Sequence, residues 1–181
     1  FSEIKLKQPL ILLATADEES SMNGARLIAT SGYPKARAAI IGEPTSLVPI
    51  RMHKGISMFA VKVTGRSGHS SNPLLGKNAL EGMHQVIGQI LDHKEEIRQG
   101  RANSLFDVPG PTLNMGSIHG GDNPNRICGE VEMQFDLRVT PDSDFEAIKD
   151  ELENRVLNVG DDLGLQVDFK TLMPSIPPFQ Q

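Results

Sequence analysis

The chain has 181 residues, 38% of them hydrophobic and 23% charged, with a formal charge of -5. These proportions suit a globular protein rather than a disordered one, and the acidic balance offers no basic surface to a phosphate backbone. No apolar run reaches the roughly 20 residues that span a bilayer, no basic-then-apolar leader opens the sequence, and Cys128 is the single cysteine, so a soluble cytoplasmic protein with no nucleic-acid or membrane partner is expected.

Residues 9 to 16 (P-L-I-L-L-A-T-A) run apolar without alternation, the pattern of a strand covered on both faces in a parallel sheet. Ser20 and Ser21 are placed to cap a helix over Met22 to Ser31, with Ala25, Leu27, Ile28 and Ala29 as its apolar stripe and Gly32 as its stop. A second buried strand is predicted over Ala36 to Ile41. Together these predict β-α-β, a right-handed crossover that belongs to a larger doubly wound sheet.

From Gly55 the texture changes. Ile56 to Val63 predicts a strand, G-R-S-G-H-S-S-N-P at 65 to 73 a flexible loop, and Asn78 the cap of a long helix. That helix places Leu80, Met83, Val86, Ile87, Ile90, Leu91 and Ile97 at three- and four-residue spacing, so one face packs on a sheet. His93 and Glu96 form an i, i+3 pair on it that reads as a solvated face rather than a metal site.

Pro109-Gly110-Pro111 marks a turn, Thr112 to Ile118 a strand, and Gly120-Gly121-Asp122-Asn123-Pro124 the turn of a hairpin. From Ile127 to Val139 apolar and polar residues alternate as in a strand with one buried face. Ser143 with Glu146 makes a capping box for a helix carrying Phe145, Ile148, Leu152 and Val156 up to Gly160. Leu165, Val167 and Phe169 form a last strand. The order over 56 to 172 is β-α-β-β-α-β, the split βαβ or ferredoxin-like arrangement, complete in itself.

Asp17, Glu18 and Glu19 follow the first predicted strand and Glu43 follows the second, so a parallel sheet would gather them at its carboxyl edge, where open α/β sheets keep their sites. Adjacent acids repel, and a divalent cation is one compensation. One carboxylate on the ion and a neighbour free to take a proton from water would divide the work of a metal hydrolase, and Glu18 and Glu19 fit that division. Equally, acids at a helix N-terminus favour the dipole with no chemistry implied.

The strings T-A-D-E-E (15 to 19), G-E-P-T (42 to 45), H-K-G (53 to 55), S-G-H-S-S (67 to 71) and G-G-D-N-P-N-R-I-C (120 to 128) resemble the acetylornithine deacetylase, succinyl-diaminopimelate desuccinylase and carboxypeptidase-G-like family of dinuclear zinc hydrolases. The likeness runs in order through essentially the whole chain. It implies a partial β-α-β of a catalytic domain over residues 1–53, a ferredoxin-like dimerisation domain over 54–172, and a return segment over 173–181. It implies Glu18 as general base, Glu19 and Glu43 as ligands of two zinc ions, with cobalt as an alternative, and His69 as the residue that reaches a partner's site in a homodimer to polarise the scissile carbonyl. Asn125 and Arg138 match positions that hold the substrate's polar end.

Read without the resemblance, His69 is an exposed loop residue and Arg138 a polar-face strand residue paired with an acid. Within the family, N-R-I-C and H-K-G resemble the acetylornithine-deacetylating branch, which implies hydrolysis of N-acetylornithine to ornithine and acetate in arginine biosynthesis. Desuccinylation or peptide cleavage is the alternative inside the family, and a non-catalytic dimerisation or ligand-binding module the alternative outside it. The family's H-x-D motif and C-terminal histidine ligand do not occur among these residues, Phe1 is not an initiator Met, and the tail 174–179 reads as a loop. An interior fragment, inactive alone, is expected. RNA binding on such a sheet is disfavoured by one Tyr, no Trp and the negative charge.

Overall fold

A computed structural model describes residues 5–18, 21–100 and 102–181. They fall into two compact units, Phe1–Leu47 and Val48–Gln181. Among the described residues no helix is long and apolar enough to cross a membrane.

In the first unit the predicted helix forms as α1 (Asn23–Ser31). Gly32, at φ 65, ends it by donating its N–H to Ile28 O, a left-handed cap that glycine adopts without Cβ strain. Of the two predicted capping serines, Ser20 lies outside the described residues, and Ser21 Oγ accepts from Asn23 N–H at 3.4 Å while Met22 holds the N-cap position with no side-chain cap. The two predicted strands are not formed. Residues 9–16 and 36–41 form no ladder with another strand among the described residues and lie exposed, Leu12 at 95% and Ile40 at 99%. A parallel strand exists only through ladder bonds to its neighbours, and the described residues of this unit supply no neighbouring strand. The β-α-β expectation is therefore realised in its helix alone, and α1 buries none of its residues.

The second unit is the β-α-β-β-α-β sandwich. Its central sheet has the order β4-β6-β2-β7, all antiparallel, with β2 (Gly55–Thr64), β4 (Thr112–Gly120), β6 (Glu130–Val139) and β7 (Gln166–Thr171). Short strands complete the set: β1 (Met52–His53), β3 (Gly68–His69), β5 (Arg126–Ile127) and β8 (Phe179–Gln180). Helices α2 (Ala79–Arg98) and α3 (Phe145–Leu163) cover one face. The period-2 pattern read from the sequence sets which face: Val131, Met133, Phe135, Leu137 and Val139 are all buried, whereas Glu130 to Arg138 on the alternate positions are not.

Met83, Val86 and Ile90 of α2 and Leu152 and Val156 of α3 close the core over these strands. Phe59, fully buried, is its aromatic centre, with ring centroids 5.5 Å from Phe135 and 5.0 Å from Phe169. Phe59→Ala removes both ring contacts and leaves a cavity; a loss of about 3–5 kcal/mol in denaturant unfolding is expected.

Local details differ from the sequence expectation for identifiable reasons. Asn78 caps α2 as predicted, accepting from Leu80 N–H at 3.0 Å. For α3, Asp144 rather than Ser143 is the cap, accepting from Ala147 N–H at 3.0 Å, because the Ser143 hydroxyl is engaged with Thr140 Oγ1 at 2.9 Å. Gly160 does not stop α3, which runs on to Leu163 and is ended by Gly164 at φ 61. Gly160 is glycine for close approach: a Cβ there would lie 2.8 Å from Val167 Cγ2 and 2.9 Å from Leu165 O.

His93 is not on a solvated face. It is 4% exposed, its Nε2 donates to Ile148 O at 3.1 Å, and Nδ1 lies 3.8 Å from Glu96. Glu96 in turn takes both arms of Arg155, at 3.0 and 2.7 Å, so the pair clasps α2 to α3. The Arg155 bond holds the Glu96 carboxyl below the usual glutamate range. Finally, the segment 173–181 folds back on this same unit: Ile56 and Ile176 exchange backbone bonds of 2.9 Å, and β8 pairs with β1.

Candidate functional site

The glycine-rich stretch around His69 is a paired ribbon rather than a flexible loop. β3 lies antiparallel to β5 with His69 opposite Arg126 and Gly68 opposite Ile127. Arg66 and Lys77 exchange backbone bonds of 2.9 and 2.8 Å, and Gly65 N–H donates to Gly129 O at 2.9 Å. The glycines permit this closeness. A Cβ at Gly76 would lie 2.5 Å from Arg66 O and 2.7 Å from Ile127 Cδ1, and one at Gly65 would run into Lys77 O. Gly65→Ala is therefore expected to cost about 1–3 kcal/mol; the check is faster hydrogen exchange at the Arg66 and Lys77 amides together with a lowered melting temperature.

His69 stands at the end of this ribbon, exposed, with Nδ1 2.8 Å from Ser71 Oγ and 3.3 Å from Ser71 N. Asn125 is its neighbour through the backbone: Asn125 O accepts from Ser70 N–H at 3.0 Å, and Asn125 N–H donates to Asn123 Oδ1 at 3.0 Å. Arg126, opposite His69, is ion-paired with Asp122. The fold thus brings together two of the residues read from the sequence, His69 and Asn125.

Arg138 is not with them. The ribbon follows the Thr64 end of β2, whose register partner is Glu130, whereas Arg138 pairs with Ile56 at the opposite end. From Glu130 to Arg138 the strand runs roughly 27 Å at its usual rise per residue. Arg138 is half-exposed, and its Nε donates to Asp136 Oδ2 at 2.9 Å. Lys54 belongs to the same end: its Nζ donates to Gly110 O at 2.6 Å and lies 5.7 Å from the Phe106 ring centroid. Burial first, and the Arg138 charge second, lower its pKa from the ordinary lysine value. This end of the sheet presents two cations.

The carboxylates fall in the first unit. Glu18 is an exposed turn residue, Glu43 is exposed with its N–H donating to Ile41 O at 3.1 Å, and Glu19 lies outside the described residues. Among the described residues there is no group of three or more His, Cys, Asp or Glu able to hold a metal ion. Zinc prefers four ligands with nitrogen or sulfur among them. Exposed carboxylates on unpaired segments do not make such a site, so the residues present do not by themselves fit the two-metal centre.

Against known families, the model of the peptidase dimerisation domain of the M20 group matches residues 51–162. The chain belongs to the M20 peptidase dimerisation-domain family. That match takes in His69, Asn125 and Arg138, and leaves Glu18, Glu19 and Glu43 outside it. Over 97% of its length the chain is 43% identical to the acetylornithine deacetylase of Edwardsiella ictaluri and 44% identical to that of Shigella sonnei. It spans 46% of each of those proteins, about half their length. Among solved structures, the amidase of the hydantoinase/carbamoylase family from Burkholderia multivorans superposes with a TM-score of 0.59 at 16% identity, over 72% of this chain and 30% of that one. This last likeness shows a shared fold.

For the M20 dimerisation domain, the sequence drew attention to His69, Asn125 and Arg138 but not to Lys54 or Ser71. H-K-G and S-G-H-S-S each contain the missed residue. What singles it out is tertiary: a carbonyl and a ring beneath the ammonium of Lys54, and a turn that folds Ser71 onto the imidazole.

Proposed function

We propose that the chain is part of a metal-dependent N-acyl amino acid amidohydrolase that removes the acetyl group of N-acetylornithine and works in the cytoplasm as a homodimer joined through this dimerisation domain. The observation that carries the dimer reading is the separation of roughly 27 Å along β6 between the His69 end and the Arg138 end. A single copy cannot put both residues on one small substrate. Two copies can, if the His69 and Asn125 end of one reaches the site that holds Arg138 of the other.

In that site Glu18 takes the proton of the attacking water and returns it to the leaving amine. His69 donates a hydrogen bond to the oxygen of the acyl carbonyl as negative charge develops there, and Arg138 faces the substrate carboxylate as a fork donor. Asn125 holds the polar end beside His69. Glu19 and Glu43 are ligands for zinc or cobalt only in company with further donors. When bound, such metal supplies a more acidic water and a Lewis acid.

The identity of the two deacetylase relatives favours N-acetylornithine over N-succinyl-diaminopimelate. Purified full-length protein, supplied with each compound in turn, is expected to release ornithine and acetate at the higher kcat/KM. Preference for the succinyl compound would overturn the substrate, and no release from either would overturn the activity.

A further inference from the structure

The Nδ1 atom of His69 faces two groups of Ser71. The backbone N–H at 3.3 Å is a donor in every protonation state, so Nδ1 presents its lone pair to it. The Ser71 hydroxyl at 2.8 Å is free to rotate, so it donates wherever Nδ1 carries a lone pair, the state the backbone N–H selects. A neutral imidazole carries one proton, and with Nδ1 accepting from both groups that proton is on Nε2. Nε2 takes part in neither bond with Ser71.

We propose that Ser71 is a positioning residue that holds neutral His69 as the Nε2–H tautomer, so that Nε2 is the atom this ribbon offers as a donor. The ribbon makes the arrangement rigid enough to matter. Ser70 N–H is tied to Asn125 O at 3.0 Å and Asn72 N–H to His69 O at 3.1 Å, so both flanks of Ser71 are anchored. Asn72 Oδ1 then caps the short 3-10 turn Pro73–Leu75 through Leu74 N–H. A histidine with the other tautomer would turn a lone pair, not a proton, toward an incoming carbonyl oxygen, and would repel the charge that develops there. The catalytic consequence rests on the donor role proposed for His69; the tautomer itself does not.

The two parts separate in experiment. Long-range proton–nitrogen spectra of the chain labelled with nitrogen-15 histidine, taken at alkaline pH, are expected to show Nδ1 of His69 unprotonated and Nε2 protonated. Ser71→Ala keeps the backbone donor but loses the hydroxyl, so a fraction of Nδ1–H tautomer is expected to appear, and Ser71→Thr is expected to abolish it. Unchanged amide shifts at Arg126 and Ile127 report that the ribbon is intact. A proton on Nδ1 in the parent chain, or an identical tautomer in Ser71→Ala, overturns the proposal.

In the full-length protein, Ser71→Ala is expected to lower kcat about 2- to 10-fold, the worth of one hydrogen bond, with KM little changed and threonine restoring the rate. An unaltered kcat in a variant whose tautomer has shifted overturns the positioning role. If His69→Ala leaves turnover intact while the spectra show Nε2–H, the donor reading of His69 fails and the tautomer assignment stands.

Discussion

Replacing His69 with alanine in the full-length protein is expected to lower kcat by about 10²- to 10³-fold, the usual cost of losing one oxyanion donor, while KM changes far less. The split between the two constants follows from the role: a donor that engages charge present only in the transition state adds little to ground-state binding. His69 is exposed and its ribbon is held by backbone bonds, so the fold is expected to survive, with a melting temperature close to that of the parent. The decisive form of the experiment mixes subunits. When His69→Ala and Arg138→Ala chains are co-refolded in equal amounts, half the dimers are hybrids, and each hybrid assembles one site with both residues intact. Recovery of about a quarter of the parental activity is expected from this symmetry. Activity no higher than the mean of the two variants alone would place both residues in one copy's site, against the length of β6.

Glu18→Ala is expected to reduce turnover by about 10²- to 10⁴-fold, the range for loss of a general base, with metal content unchanged. Metal analysis of the same preparation makes the result specific. A fall in bound metal matching the fall in rate would make Glu18 a ligand, and retained activity would remove it from the mechanism. Glu43→Ala is the counterpart: loss of metal together with activity is expected there.

The two halves of the chain were legible to very different degrees. From Gly55 onward, burial alternates along β6 and recurs at helical spacing along α2, so pattern alone located the four sheet strands and both helices. Such patterns are local, and this unit contains the partners they call for. The apolar runs at 9–16 and 36–41 stay exposed, and the described residues of that unit offer them no neighbouring strand. A capping serine, a stop glycine and a solvated histidine were misread in α2 and α3 for a related reason. Thr140 competes for the Ser143 hydroxyl, β7 presses on Gly160, and α3 covers His93, contacts that neither a capping pattern nor a hydrophobic period reports.

By itself, the sequence determined the order β-α-β-β-α-β, the buried face of β6, and, through its motifs, His69, Asn125, Arg138 and the acids as the residues to examine. Only the tertiary structure decided that the glycines of 65–76 are there for close packing, that Ser71 turns onto His69, and that Arg138 stands at the far end of the sheet from both His69 and Asn125. The physical reason is range. Hydrophobic period and capping act over a few residues along the chain, whereas distance between side chains depends on strand register, which only the paired strands define.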